Sequence, residues 1–276
     1  MATEPFRTLR PSTGWVAIEF RELIRFVDLM MELARRDVKL RYRQTFLGIA
    51  WVILQPLVAA GVLTFAFSVV AGLKPEGGSA FLFTYAGLLG WNVFAWTLSK
   101  TSLSMVGNSY LVSKVFFPRL ILPLSGTLST LLDMGVSFTL WLVLMAFHGV
   151  RPELGFLLLP VWIALILCLA LGLGLIAAAL TVEYRDIQHI LPVLIPFMLY
   201  ASPVAYDVRQ VPADYQVLVY LLNPLASLIT SFRWSLLGTP PAPVPYVIWS
   251  ATLSVALFML GAAVFRRTER NFADVL

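Results

Sequence analysis

The sequence predicts an all-α integral membrane protein. It has six transmembrane helices, an amphipathic helix along the inner surface before them, and short external re-entrant helices between spans five and six. Three observations carry this. The chain is 59% hydrophobic and 13% charged, against roughly a quarter charged in an ordinary soluble domain. Apolar runs close to the ~20 residues needed to cross a bilayer recur along it. Sixteen of its 20 Lys and Arg side chains fall on one side of the membrane when those runs are taken as spans, which places both termini in the cytoplasm.

Residues 1–45 form the first segment. Within it Phe20, Leu23, Ile24, Val27, Met30, Met31, Ala34 and Val38 follow the three-four spacing of an apolar helix face. The acids Glu19, Glu22, Asp28 and Glu32 come first. Arg35, Arg36, Lys39, Arg41 and Arg43, with Tyr42 among them, come last. That order complements the helix dipole and suits a helix lying along the membrane surface.

Residues 46–276 form the transmembrane domain, with spans expected near 46–73, 80–107, 119–147, 156–181, 187–205 and 246–265. The first run starts near Phe46, too late and too long for a secretory signal peptide. Residues 215–237 are apolar enough for a seventh span, but Asn223-Pro224 interrupts them and Arg233 lies inside. A seventh span would also put Arg266, Arg267 and Arg270 outside. Two short helices dipping into the outer leaflet are expected instead, followed by a linker rich in proline (Pro240, Pro241, Pro243, Pro245). Irregular backbone at that depth must be buried in protein or line a cavity, so this hairpin is expected to cap a pathway.

The composition narrows the function classes. The single cysteine, Cys168, lies in an apolar run and allows no internal disulfide. The net charge of +5 sits beside spans, so topology explains it and no nucleic-acid partner is expected. His148 and His189 fall at opposite faces, Glu183 and Asp186 alone are too few acids and Asp133 lies at another depth, so no metal site is expected and an intramembrane lipid-modifying enzyme is the less favoured alternative. No internal repeat of the secondary-transporter kind stands out. No Gly-x-x-x-x-Gly-Lys-Ser/Thr loop is present, so any ATP and Mg would be held by a partner subunit.

Several positions could carry function. The inner loop 108–118 is unusually apolar and aromatic, and Glu183-Tyr184-Arg185-Asp186 puts three charges between two spans. Both suit contact with a soluble partner, the second as a short helix. Ser125, Ser129, Asp133 and Ser137 recur every fourth residue on the third span, as Thr97, Thr101, Ser104 and Asn108 do across the end of the second. Self-satisfied hydroxyls gluing helices together are weighed against a lining for a sugar polymer. Asp133 lies about 14 residues into its span, roughly 21 Å from the inner end, and Lys100 roughly 10 Å. A direct pair is therefore not expected, and Asp133 is read as a structural anchor near the channel wall. Tyr85, Trp91, Phe94 and Trp96 crowd the second span as candidates for stacking on sugars, against packing or interfacial belts. Ala170, Gly174 and Ala178 make a close-packing strip on the fourth span.

Arg36-Asp37-Val38-Lys39-Leu40-Arg41-Tyr42-Arg43-Gln44-Thr45, Leu47-Gly48 and Leu54-Gln55-Pro56-Leu57 together resemble the ABC-2 family permeases. So do Tyr184-Arg185-Asp186-Ile187, Ala201-Ser202-Pro203-Val204-Ala205-Tyr206, Leu222-Asn223-Pro224-Leu225, Phe232-Arg233-Trp234-Ser235-Leu236-Leu237-Gly238 and the tail from Phe265. The ordered set resembles most the exporters of O-antigen, capsule and teichoic acid. That resemblance implies a membrane subunit that pairs with a second copy of itself and with two ABC nucleotide-binding subunits. Its cargo would be a lipid-linked glycan, crossing the bacterial inner membrane; the alternative is an ABC-2 exporter of a drug or lipid. It implies coupling segments containing Asn108, Tyr110, Leu111, Lys114, Phe117, Glu183, Tyr184, Arg185 and Asp186. It implies an external gate containing Pro203, Tyr206, Asn223, Pro224, Arg233 and Trp234. Tyr85, Trp91, Phe94, Trp96, Thr97, Ser129 and Asp133 are then the candidate glycan path.

Overall fold

The computed structural model describes residues 20–42, 50–73, 78–151 and 153–269, all helices and turns. The surface helix is α1 (Phe20–Arg25) and α2 (Val27–Tyr42), parted only by a turn at Phe26. The spans are α3 (Ala50–Thr64, continued by a π-helix Phe65–Val70), α4 (Ala80–Ser102), α6 (Ile121–Phe147), α7 (Leu159–Glu183) and α11 (Val244–Thr268). Between α4 and α6 sits α5 (Ser109–Lys114); between α7 and α11 sit α8 (Ile187–Ala201), α9 (Ala213–Leu222) and α10 (Pro224–Leu237).

Packing fixes the direction of each span. Most of the α4 stretch is buried, 83% against 22% for the α3 and α11 stretches, so α4 is the axis around which the others stand. Leu175, Ala178, Ala179 and Val182 at the end of α7 cluster with Ala262 and Phe265 at the end of α11, so these two helices run parallel. The same cluster takes Leu33 of α2, Met105, Val112 of α5, and Phe117, Ile121 and Leu122. The surface helix, α5, the start of α6 and the ends of α7 and α11 therefore share one end of the bundle. The start of α4, the turn after α8 and α10 share the other, since a Cβ at Gly87 would lie 2.7 Å from the Arg233 guanidinium.

A chain that ends α7 at the first end and starts α11 at the second must cross between them, and α8 makes that crossing. It is shorter than the expected 187–205, with 15 residues and a rise of about 22 Å. Proline explains the early stop: Pro203 drives Ser202 out of the helical region, to φ −101 and ψ 144. The second span likewise stops at Ser102, short of 107, and Val106–Asn108 form a 3-10 turn. The expected hairpin is present as α9 and α10, bent by 100° at Asn223. Every signal for α10 is met: Asn223 accepts from the Leu225 N–H at 3.1 Å, Pro224 opens the first turn, and Gly238 closes it at φ 64.

The surface helix buries only part of the expected face. Leu23, Met30 and Ala34 of that face are turned to protein together with Phe26, Leu29 and Leu33, while Ile24, Val27 and Met31 are exposed. A three-four pattern this wide serves two faces, one against protein and one outward. Arg43 and the side chains of Arg41 and Tyr42 lie outside the described residues.

Small residues set the closest approaches. Ala170 and Ala178 of the expected strip are fully buried, and Gly174 lies against Thr101 of α4. Gly172 turns the other way: a Cβ there would lie 2.5 Å from the Leu257 carbonyl carbon of α11, and one at Gly261 would run into the Gly172 carbonyl. Gly261→Ala should therefore destabilise the bundle by at least about 1–3 kcal/mol. Gly107→Ala, which meets nothing within 4 Å, should not. Thermal unfolding in detergent, read on both variants, checks this.

Candidate functional site

At the end of the bundle shared with α2, α5 stands on buried Val112 and offers Tyr110 outward, and the segment just after it offers Val115 and Phe116. Lys114 lies over the Tyr110 ring at 4.6 Å, and Leu111 packs against the inner cluster. Phe117 was expected to face a partner but is only 5% exposed, whereas Phe116 is 70% exposed. Beyond α5 the backbone is extended at Val115 and bends at Phe117, whose ring joins the buried cluster with Ile121 and Leu122. Pinning contacts hold both ends of this loop. Arg36 donates to Asn108 at 2.8 Å, and Arg119 donates to the Glu269 carbonyl.

Glu183, Tyr184, Arg185 and Asp186 are all exposed at the same end. They form no separate short helix: the chain turns at Arg185 and Asp186 directly into α8, whose first N–H groups donate to the Tyr184, Arg185 and Asp186 carbonyls. A bare two-residue turn between antiparallel helices leaves no length for another element.

In mid-bundle, Lys100 and Asp133 do pair, at 3.6 Å, and Lys100 also donates to Ser129 at 2.6 Å. The expectation against a pair failed because it compared Cα depths alone. In a helix each side chain leans toward the N-terminus. On antiparallel α4 and α6 the two therefore lean toward each other. Gly126 lets the Lys100 stem pass, since a Cβ there would be 3.2 Å from it.

Half of the stripe hydroxyls serve backbone: Ser125 and Ser129 donate to carbonyls in their own helix and Ser104 to the Thr101 carbonyl. The buried hydroxyls of Thr97, Thr101 and Ser137 find no hydrogen-bond partner among the described residues. The aromatics of α4 pack the core: Tyr85, Trp91 and Phe94 are buried, as is Thr97, and the Tyr85 hydroxyl donates to the Ser137 carbonyl at 3.1 Å. Only Trp96 of that set is half-buried. Exposed aromatics of the bundle wall lie on α3 (Trp51, and Phe65 in its π-helical extension) and α8 (Phe197, Tyr200), with Phe147 at the end of α6 and Trp249 on α11.

At the opposite end of the bundle one side chain gathers the residues expected to form the gate. Arg233 is 1% exposed. Its guanidinium donates to the Pro203 and Val204 carbonyls at 2.5 and 2.9 Å and lies 3.6 Å from the Phe83 ring centre. The turn it grips carries Tyr206, whose ring stacks on Phe67 of the π-helix at 5.9 Å. Asn223 donates to the Ala201 carbonyl and the Ser202 hydroxyl, tying the hairpin's bend to the end of α8. Trp234 lies against Gly155, and Trp162 donates to Ser235 at 2.8 Å. Asp207 closes the group. Burial works to raise its carboxyl, but hydrogen bonds from Arg209 and the charges of Arg209 and Arg233 outweigh it and hold the carboxyl low.

Two outcomes follow. Lys100→Met should cost about 3–5 kcal/mol by stranding Asp133, and Lys100→Met with Asp133→Leu should recover most of it. A double-mutant cycle on thermal unfolding reads this. Arg233→Met should leave two carbonyls without donors, at about 1–3 kcal/mol each, and should open 203–206 to limited proteolysis.

Comparison with known proteins adds an independent line. A family model described as "ABC-2 type transporter" matches residues 29–237. The chain is 30% identical to the "O-antigen export system permease protein RfbA" of Myxococcus xanthus, over 92% of this chain and 97% of the relative. It is 27% identical to a protein of the same description from Klebsiella pneumoniae, over 90% and 95%. It is 23% identical to the "Polysialic acid transport protein KpsM" of Escherichia coli, over 85% and 91%.

Proposed function

The chain belongs to the ABC-2 type transporter family, and we propose that it is the membrane subunit of an ATP-driven polysaccharide exporter. Its cargo is a lipid-linked, O-antigen-like polysaccharide, moved from the cytoplasmic side across a bacterial inner membrane. One observation carries this reading: the likeness to O-antigen export permeases runs through nearly the whole of both chains.

The working unit holds two copies of this chain and two separate nucleotide-binding subunits, which bind the ATP and Mg. The end of the bundle that gathers α2, α5 and the end of α11 is the cytoplasmic one, which the excess of Lys and Arg supports. There Tyr110 and Lys114 of α5, Phe116 just beyond it, and the turn Glu183–Asp186 meet the nucleotide-binding subunits. α1 and α2 lie on the lipid surface through Ile24, Val27 and Met31. The glycan passes between copies along α3 and α8, whose side chains face outward, while the core of each copy stays closed. The Arg233-held turn and the α9–α10 hairpin shape the exit.

Purification from native membranes should bring down a stoichiometric soluble ATPase of the ABC type. Depletion of the chain should leave its glycan on the cytoplasmic side. A chain that purifies alone in mild detergent would overturn the reading. Arg185→Glu with Asp186→Arg should at least halve export per ATP hydrolysed while thermal unfolding stays unchanged; unaltered export would remove the turn from the contact.

A further inference from the structure

Asn108 stands at the N-cap of α5, yet its side chain makes no cap. Asparagine in that place ordinarily turns its oxygen to an N–H of the first turn. Here Oδ1 accepts instead from Arg36 of α2 at 2.8 Å, across 72 residues of sequence, and Nδ2 donates to the Ser104 carbonyl at 3.0 Å. The same Arg36 nitrogen reaches Asp37 at 3.2 Å, so the guanidinium is steadied by its own helix. With six residues, α5 is too short to be stable by itself. Its apolar floor is shared with α2, since Val112 and Leu33 lie in one buried cluster.

We propose that Arg36 is a positioning residue. Through Asn108 it fixes where α5 stands, so that the surface helix and the helix facing the ATPase move as one piece. The coupling half of this rests on the reading of α5 given above; the positioning half does not. The arrangement diverts a capping side chain to a cross-helix contact, which makes the order of α5 depend on α2. Charge assists the bond, because the donor is a guanidinium.

Amide hydrogen exchange of residues 109–114 tests the positioning in the full chain in lipid nanodiscs, with no partner present. Arg36→Met and Asn108→Ala should each speed that exchange about tenfold, the size expected for one charge-assisted hydrogen bond. The double variant should match either single one, because both remove the same contact. Arg36→Lys should keep part of the protection. Exchange in α6 and the unfolding temperature should not move, which separates positioning from general loosening. Unchanged exchange at 109–114 in Arg36→Met, or single effects that multiply in the double variant, overturns the proposal. Export per ATP in the reconstituted complex is the second reading. If the exchange pattern holds while export per ATP matches the unmodified chain, α5 is placed by Arg36 but is not the coupling element, and the failure lies in that assignment.

Discussion

Backbone that leaves the helix at membrane depth has no water to bond, so it must find donors inside the protein. The outer half of this fold is organised around that demand. Pro203 stops α8 early and frees the carbonyls of the turn, and Arg233 supplies the N–H groups they need. A charged side chain so fully enclosed requires its own compensation. It finds it in the Phe83 ring face, in the two carbonyls and in the field of Asp207. Gly87 is part of the same solution, because a Cβ there would occupy the place of the guanidinium and the Val204 carbonyl. The helix that ends, the hairpin that returns and the central helix thus meet at one guanidinium.

The inner half uses a different device. Its elements are joined by an apolar cluster and by polar contacts between residues far apart in sequence: Arg36 with Asn108, Arg119 with Glu269, and Lys100 with Asp133. The first ties the surface helix to the loop that carries α5, the second a loop to the end of α11, and the third one span to another. The glycine contacts between α7 and α11 and between α7 and α4 bring backbones close enough for dispersion to act where the hydrophobic effect cannot. Together these make the inner end a block in which α5 is the most outward part.

What the sequence disclosed depended on whether the signal was local. The α10 boundaries are written in Asn223, Pro224 and Gly238, and the hairpin followed from the conflict between Arg233 and a seventh span. The proposed sidedness of the spans rests on charge alone. The partner of Arg233 was not legible, since it is backbone. The Arg36–Asn108 contact joins segments no pattern relates, and Phe116 and Phe117 are adjacent aromatics separated only by a bend in the chain that turns the second into the buried cluster. Lys100 and Asp133 were within reach of a better argument, because side-chain lean on antiparallel helices is a general property. The aromatic crowd on α4 misled because burial inside a bundle and exposure to a passage select the same residue types.

The shortness of α8 has a consequence for the membrane itself. A rise of about 22 Å falls well short of a hydrocarbon layer of roughly 30 Å. On the proposed route between copies, along Ile190, Val193, Leu194 and Phe197 of α8, lipid must compress to match that length. A polar headgroup travelling along that flank then has a shorter stretch of oil to traverse than beside the longer spans.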